Sequence, residues 1–129
     1  KVKRAFVVHG HDGLDEISVC DLTRVSELND GMIRTYDIDP KDYFGEFAEQ
    51  QEMLGGDAEK NAFITKSILN ASEKGPKRNI VLLNSAAALV AADLAENIRE
   101  GIALAEQSID TGKALEKLEA LAAYTQENG

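Results

Sequence analysis

Cysteine is almost missing from this chain: Cys20 is the only one among 129 residues. No disulfide can therefore form within it, as expected of a protein kept in a reducing compartment. A thiol can be reactive only where its surroundings favour the thiolate, and acidic neighbours do the reverse, so Cys20 reads as a small packing residue. Positive charge is scarce as well, with 14 Lys and Arg against 23 Asp and Glu and a net charge of -9. That balance speaks against nucleic acid as a partner, since such binding rests on basic side chains neutralising phosphates. No apolar run is long enough to span a membrane. No signal peptide is visible, although a sequence opening at Lys1 has no initiator Met by which to judge its N-terminus. A cytoplasmic location is the expectation. Also missing are internal repeats, low-complexity segments, and any Ser/His/Asp or Cys/His set for nucleophilic catalysis.

What is present begins at Arg4–Ser18, RAFVVHGHDGLDEIS. Ala5–Val8 is a compact apolar run of the length and β-branched content of a buried strand, predicted over Ala5–His9. The run breaks at Gly10 and Gly13 and presents His9, His11, Asp12, Asp15 and Glu16 within a few residues. Open α/β proteins build sites where strands end in such loops. Adjacent carboxylates cannot both point the same way from a turning backbone, so Asp15 and Glu16 can reach two hard cations or two sides of one. Two histidines one residue apart suggest a metal hydrolase of the His-x-His-x-Asp-His kind. Here Asp12 follows His11 directly and no third histidine comes after it, so the spacing fails. The remaining ligands are oxygens, which suit magnesium better than zinc.

After the basic lead-in Lys1–Arg4 and this loop, Thr23–Leu28 and Met32–Ile38 alternate polar and apolar residues about Asn29-Asp30-Gly31. That is a β-hairpin, since glycine accepts the positive φ of the turn. Thr23 lies just beyond the acidic loop, and Pro40 marks the next boundary. Asp42–Met53 reads as a loop with a short helix. Asp57 is a candidate N-cap for a helix over about Ala58–Ala71, with a stripe of Ala62, Ile64 or Thr65, Ile68 and Leu69. Ser72–Asn79 reads as a basic solvated turn carrying Lys74, Lys77 and Arg78. Ile80–Ala92 is apolar nearly all round, the mark of a helix buried on every side. Asn84 inside it must find hydrogen-bond partners, so it either anchors a neighbouring loop or touches substrate. Asp93 is expected to cap a helix over Leu94–Asp110. A last helix starts at Asp110 or Thr111, with Leu115, Leu118, Leu121 and Ala122 on its apolar side and frayed residues from Gln126. The architecture is α/β, a strand plus a β-hairpin covered by helices, with sheet edges that would need covering.

The stretch VVHGHDGLDEIS resembles the HG-x-DGLDE-[IL]-S signature of anthranilate phosphoribosyltransferases. TRVSEL, DGMIRTYDIDPKDYFG, LGGDAEKNA, VLLNSAAAL and IDTGKALEKLEAL (Thr23 to Leu121) resemble the same family in the family's order. The resemblance covers essentially the whole chain but only the C-terminal part of family members. It implies that residues 1–129 form the second half of a nucleoside-phosphorylase/phosphoribosyltransferase-type α/β domain. The implied reaction moves a phosphoribosyl group from phosphoribosyl pyrophosphate to the amine of anthranilate. Asp15 and Glu16 would hold Mg2+, because an acidic loop meets a pyrophosphate only with a divalent cation between them. His9 matches the family's histidine at the strand end, and His11 falls where the pattern is open. Gly55-Gly56-Asp57 is not the family's phosphate loop, Gly-Thr-Gly-Gly-Asp, because its Gly-Thr half is missing. Asn61 beside it reads as structural. The phosphate loop, further metal contacts and anthranilate pocket are implied to lie upstream, so the isolated chain is expected to be inactive; the family dimerises through the missing part, and the resemblance implies a homodimer for the full-length protein. The alternative is a non-catalytic relative acting as a binding protein on the same scaffold, which would be expected to lose the Asp-Glu pair and carry a basic face.

Overall fold

The computed structural model describes residues 2–129; Lys1, in the basic lead-in, lies outside them. Strands β1 (Arg4–Gly10), β2 (Thr23–Asn29) and β3 (Met32–Ile38) form one sheet in the order β1-β2-β3. Both pairings are antiparallel, with Val8 opposite Val25 and Val25 opposite Tyr36. The hairpin turn falls at Asp30 (φ 48) and Gly31 (φ 87), two positive angles that match the twist of the flanking strands.

Register assigns the side chains to two faces. Phe6, Val8, Thr23, Val25, Glu27, Tyr36 and Ile38 point inward, while Val7, His9, Arg24, Ile33 and Asp37 point outward. The strand predicted to be buried, β1, is thus an edge strand with one open face: Val7 is 70% exposed, and Ile33 of β3, on the same face of the sheet, 75%. Its continuous apolar run has the composition of a strand covered on both sides, but only the inner side is covered among the described residues.

The short helix α1 (Lys41–Phe44) and a 3-10 turn (Gln50–Met53) follow the sheet. Then come α2 (Ala58–Leu69), α3 (Pro76–Ala91), α4 (Ile98–Asp110) and α5 (Lys113–Asn128). Asp57 caps α2 as expected, its carboxylate accepting from Lys60 N at 2.8 Å. Of the expected α2 stripe, Ile68 is buried and Ile64 and Leu69 are half-buried, whereas Ala62 is exposed. Helix α3 starts a turn earlier than the sequence suggests, because Pro76, whose fixed φ suits the first helical position, opens it. The segment read as a basic loop is therefore partly helix, and Arg78 is buried at 5% exposure rather than solvated.

Asp93 is not an N-cap. It takes a left-handed φ of 58 beyond the end of α3. Asp93 N bonds to Val90 O and Leu94 N to Leu89 O, the pattern that closes a helix C-terminus. The N-cap of α4 is Asn97, which accepts from Glu100 N.

The main core lies between the inner sheet face and α3, with Val25, Ile38, Leu83, Ala86, Ala87 and Val90 joined by Ile17 and Val19 from the β1–β2 loop. A second cluster of Ile68, Leu82, Ala105 and Ile109 binds α2, α3 and α4. Helix α3 is not enclosed on every side: Val81, Ser85, Ala88 and Leu89 line an apolar groove that also takes in Leu94 and Leu104. Helix α5 has no buried residue, and Leu121 on its expected stripe is 58% exposed.

Candidate metal centre

The loop between β1 and β2 carries the acidic pair, and its shape follows from a few short-range bonds. Gly13 N bonds to Gly10 O and Gly10 N to Leu14 O, both at 2.9 Å, which folds the chain back as it leaves β1. Gly13 has φ 93, which glycine adopts without penalty. A Cβ at Gly10 would sit 2.4 Å from Asp12 Oδ1, so a side chain there would displace the Asp12 carboxylate. Asp12, in turn, accepts from Leu14 N at 3.3 Å and from the Ser18 hydroxyl.

Beyond the acidic pair the chain dives into the core. Ile17 is 1% exposed and Ser18 0%. Ser18 N donates to Thr23 Oγ1 at 2.9 Å, so the threonine following the loop closes its base. Asn84 of α3 holds Ile17 from the other side: Oδ1 accepts from Ile17 N at 2.9 Å and Nδ2 donates to Ile17 O at 2.8 Å. Of the two roles open to Asn84 in the sequence, anchoring the loop is the one seen.

Asp15 and Glu16 themselves are exposed. Among the described residues neither makes a side-chain hydrogen bond or ion pair, so four carboxylate oxygens face solvent between two anchored points. No three His, Cys, Asp or Glu side chains converge on a metal-sized site among the described residues. Two hard oxygen donors without a third do not make a closed zinc or structural site. They do suit magnesium, which keeps several waters and is commonly held by one or two carboxylates plus substrate phosphates.

The neighbouring ionisable groups have other partners. His11 Nε2 lies 3.4 Å from Asp37, which also binds Arg24 Nε at 2.6 Å. The hydrogen bond from Arg24 holds the Asp37 carboxyl below its usual range. His9 stands exposed on the outer face beside Arg24. Cys20 has its thiol pushed up, first by burial and then by Asp12, Glu52, Glu49 and Asp21, so it is poorly placed to react. Lys74 and Arg78 both bind Asp110, at 3.6 and 3.0 Å, and Lys77 donates to Glu52 O. The basic cluster is thereby committed to holding α3 against its neighbours. Asn61 brackets Gly56, accepting from its N and donating to its O at 2.8 and 2.9 Å.

One polar cluster escapes the pattern of the sequence. Glu27, 4% exposed on the inner face, accepts from Arg4 at 3.2 Å, Arg34 at 3.0 Å and the Tyr36 hydroxyl at 3.1 Å. Burial alone would push Glu27 up, but the bonds from Arg34, Tyr36 and Arg4 hold it below its ordinary value. Strand alternation places Glu27 on the inner face, and an inward carboxylate is the signal that such a cluster leaves in a sequence.

The profile described as "Glycosyl transferase family, a/b domain" matches residues 1–115. The chain belongs to this glycosyl transferase family. Within the family it is 60% identical over 127 residues to the anthranilate phosphoribosyltransferase of Desulfosudis oleivorans, covering 98% of this chain and 38% of that protein. Identity to the Methanobrevibacter smithii enzyme of the same name is 51%, over 96% of this chain and 37% of that one. The chain therefore spans little more than a third of the length of these curated relatives. Its fold superposes on anthranilate phosphoribosyltransferase from Thermus thermophilus with a TM-score of 0.84 at 32% identity, over 95% of this chain and 36% of that one. It also superposes on the Saccharomyces cerevisiae enzyme in complex with PRPP and Mg, with a TM-score of 0.78 at 30% identity over 88% of this chain and 33% of that one. The α/β fold expected from the resemblance, a strand plus a β-hairpin covered by helices, is the fold observed.

Proposed function

We propose that this chain is the C-terminal portion of the large α/β catalytic domain of an anthranilate phosphoribosyltransferase, and that Asp15 and Glu16 hold magnesium in the assembled enzyme. The observation that carries the reading is the β1–β2 loop: two exposed carboxylates held between anchored residues, in a chain 60% identical to an enzyme of that name. The reaction is displacement at the sugar carbon of phosphoribosyl pyrophosphate. The amine nitrogen of anthranilate forms the new bond, the carbon–oxygen bond to pyrophosphate breaks, and the amine loses a proton. No protein nucleophile is required, and barrier lowering rests on stabilising charge on the departing group. Bound magnesium supplies positive charge to that group. Within this chain, Asp15 and Glu16 offer the oxygen donors, and the turn at Gly10–Leu14 and the anchor at Ile17 fix where they stand.

The open outer face of the sheet supports the view that more of the enzyme packs on this portion. The phosphate loop and anthranilate pocket belong to that remainder, and so does the dimer contact of a cytoplasmic enzyme of tryptophan biosynthesis. The test is loss of anthranilate fluorescence with phosphoribosyl pyrophosphate and Mg2+. The full-length protein is expected to turn over and the isolated 129 residues to show no turnover. Turnover by the isolated chain would overturn the reading of it as a portion. An inactive full-length protein would favour a binding protein on the same scaffold.

A further inference from the structure

Asn84 devotes its entire side-chain amide to backbone. Its oxygen accepts from Ile17 N, and its two N–H groups go to Ile17 O and to Ile80 O of its own helix, at 2.9, 2.8 and 2.9 Å. Both polar backbone groups of Ile17 are thus satisfied by one side chain, as a neighbouring strand would satisfy them. Upstream, Leu14 is tied by its carbonyl to Gly10 N and by its amide to Asp12. Asp15 and Glu16 are the two residues between these ties.

From this geometry we infer that Asn84 is a positioning residue for the metal carboxylates, acting through the Ile17 backbone. The inference rests on the reading of Asp15 and Glu16 given above. Asn84 approaches neither carboxylate; it fixes the peptide that follows Glu16, and α3 carries that constraint from the core. Without the amide, Ile17 N–H and C=O must seek water, and the span before them gains freedom that the metal would have to remove on binding. Residues that orient metal ligands typically change metal affinity by 10–100-fold.

The test uses the full-length enzyme and Mn2+ as the probe, with free Mn2+ followed by electron paramagnetic resonance and backbone exchange of the metal-free protein followed by mass spectrometry. Asn84→Ala is expected to raise the Mn2+ dissociation constant roughly tenfold and to speed amide exchange in the Leu14–Cys20 segment. Its kcat at saturating metal should largely recover. Leu82→Ala, which weakens α3 packing in the second core cluster without touching Ile17, should lower stability and leave Mn2+ binding unchanged. Asn84→Asp retains the acceptor for Ile17 N but sets an oxygen against Ile17 O, so it should also weaken Mn2+ binding; it serves if Asn84→Ala does not fold. Unchanged Mn2+ binding in a folded Asn84 variant would overturn the inference. Unchanged binding in Asp15→Asn with Glu16→Gln would instead overturn the assignment of the carboxylates themselves.

Discussion

Replacing Gly101 with alanine is expected to push α3 and α4 apart where Gly101 packs against Ala86. A Cβ built on Gly101 would lie 2.8 Å from both Cα and Cβ of Ala86 and 2.9 Å from its carbonyl oxygen. Carbon atoms pack best at about 3.5–4.0 Å, so the helices must separate locally by roughly 0.7 Å or more. Overpacking of this kind costs about 1–3 kcal/mol. Alanine in place of glycine within a helix returns up to about 1 kcal/mol. The difference runs from about 0 to about 2 kcal/mol, and because the clash is with Ala86 backbone atoms, which cannot swing aside, a net loss of about 1 kcal/mol is expected. Thermal unfolding of the full-length enzyme measures it; 1 kcal/mol corresponds to roughly 2–4 °C for chains of 150–250 residues, and to less than that in a protein of which this chain spans little more than a third. Ala86→Gly should rescue only in part, because the Cα and carbonyl contacts remain and glycine costs that helix in turn. Asn84 lies two residues before Ala86 on α3, so the shift would also reach Ile17. A Gly101→Ala protein as stable as the parent, or more stable, would refute the packing argument.

Glu27→Gln removes the charge that Arg4, Arg34 and Tyr36 converge on, and a hydrogen bond to a charged group contributes about 1.5–3 kcal/mol. Because the folded carboxyl lies below its ordinary value, its contribution is present above the ordinary carboxylate range and is lost as pH falls through the lowered value. The variant should therefore be less stable at neutral pH and lose stability less steeply in acid; parallel stability–pH curves would contradict this. Tyr36 is pushed up to about 12, by burial first and Glu27 second. Its contribution holds below the ordinary phenol value of 10.0 and is lost as pH rises toward about 12; burial pushes Tyr43 up as well, so ultraviolet titration should show late phenols of which Tyr36→Phe removes the one near 12, and an unchanged titration in that variant would refute the assignment. Cys20 should be alkylated more slowly than a free thiol at the same pH, and equal rates would contradict the raised thiol.

The hairpin was legible because Asp30-Gly31 names its turn and the flanking residues alternate. Asp57 likewise announced α2. Asp93 misled because a residue type favoured at N-caps also tolerates the left-handed conformation that ends a helix, and sequence alone does not separate the two. Arg78 misleads because a Gly-Pro pair marks either a turn or the first turn of a helix, and its partner Asp110 on α4 lies 32 residues away, beyond any local pattern. The buried reading of β1 came from a composition suited to two covered faces, and one is open here. As for the candidate site, Asp15 and Glu16 were visible as a word in the sequence. Of the bonds that fix their loop, the backbone N–H bonds to Asp12 and Thr23 span two and five positions, whereas that to Asn84 spans 67, and no local pattern encodes that last tie.

Whether Asp15 and Glu16 hold the metal is read from Mn2+ titrations of the full-length enzyme carrying Asp15→Asn and Glu16→Gln, in the presence and absence of phosphoribosyl pyrophosphate. The double variant is expected to lose binding that the parent shows, to keep its fold, and to regain turnover only in part as Mg2+ is raised. Undiminished Mn2+ binding, with the same Mg2+ dependence as the parent, would contradict that assignment.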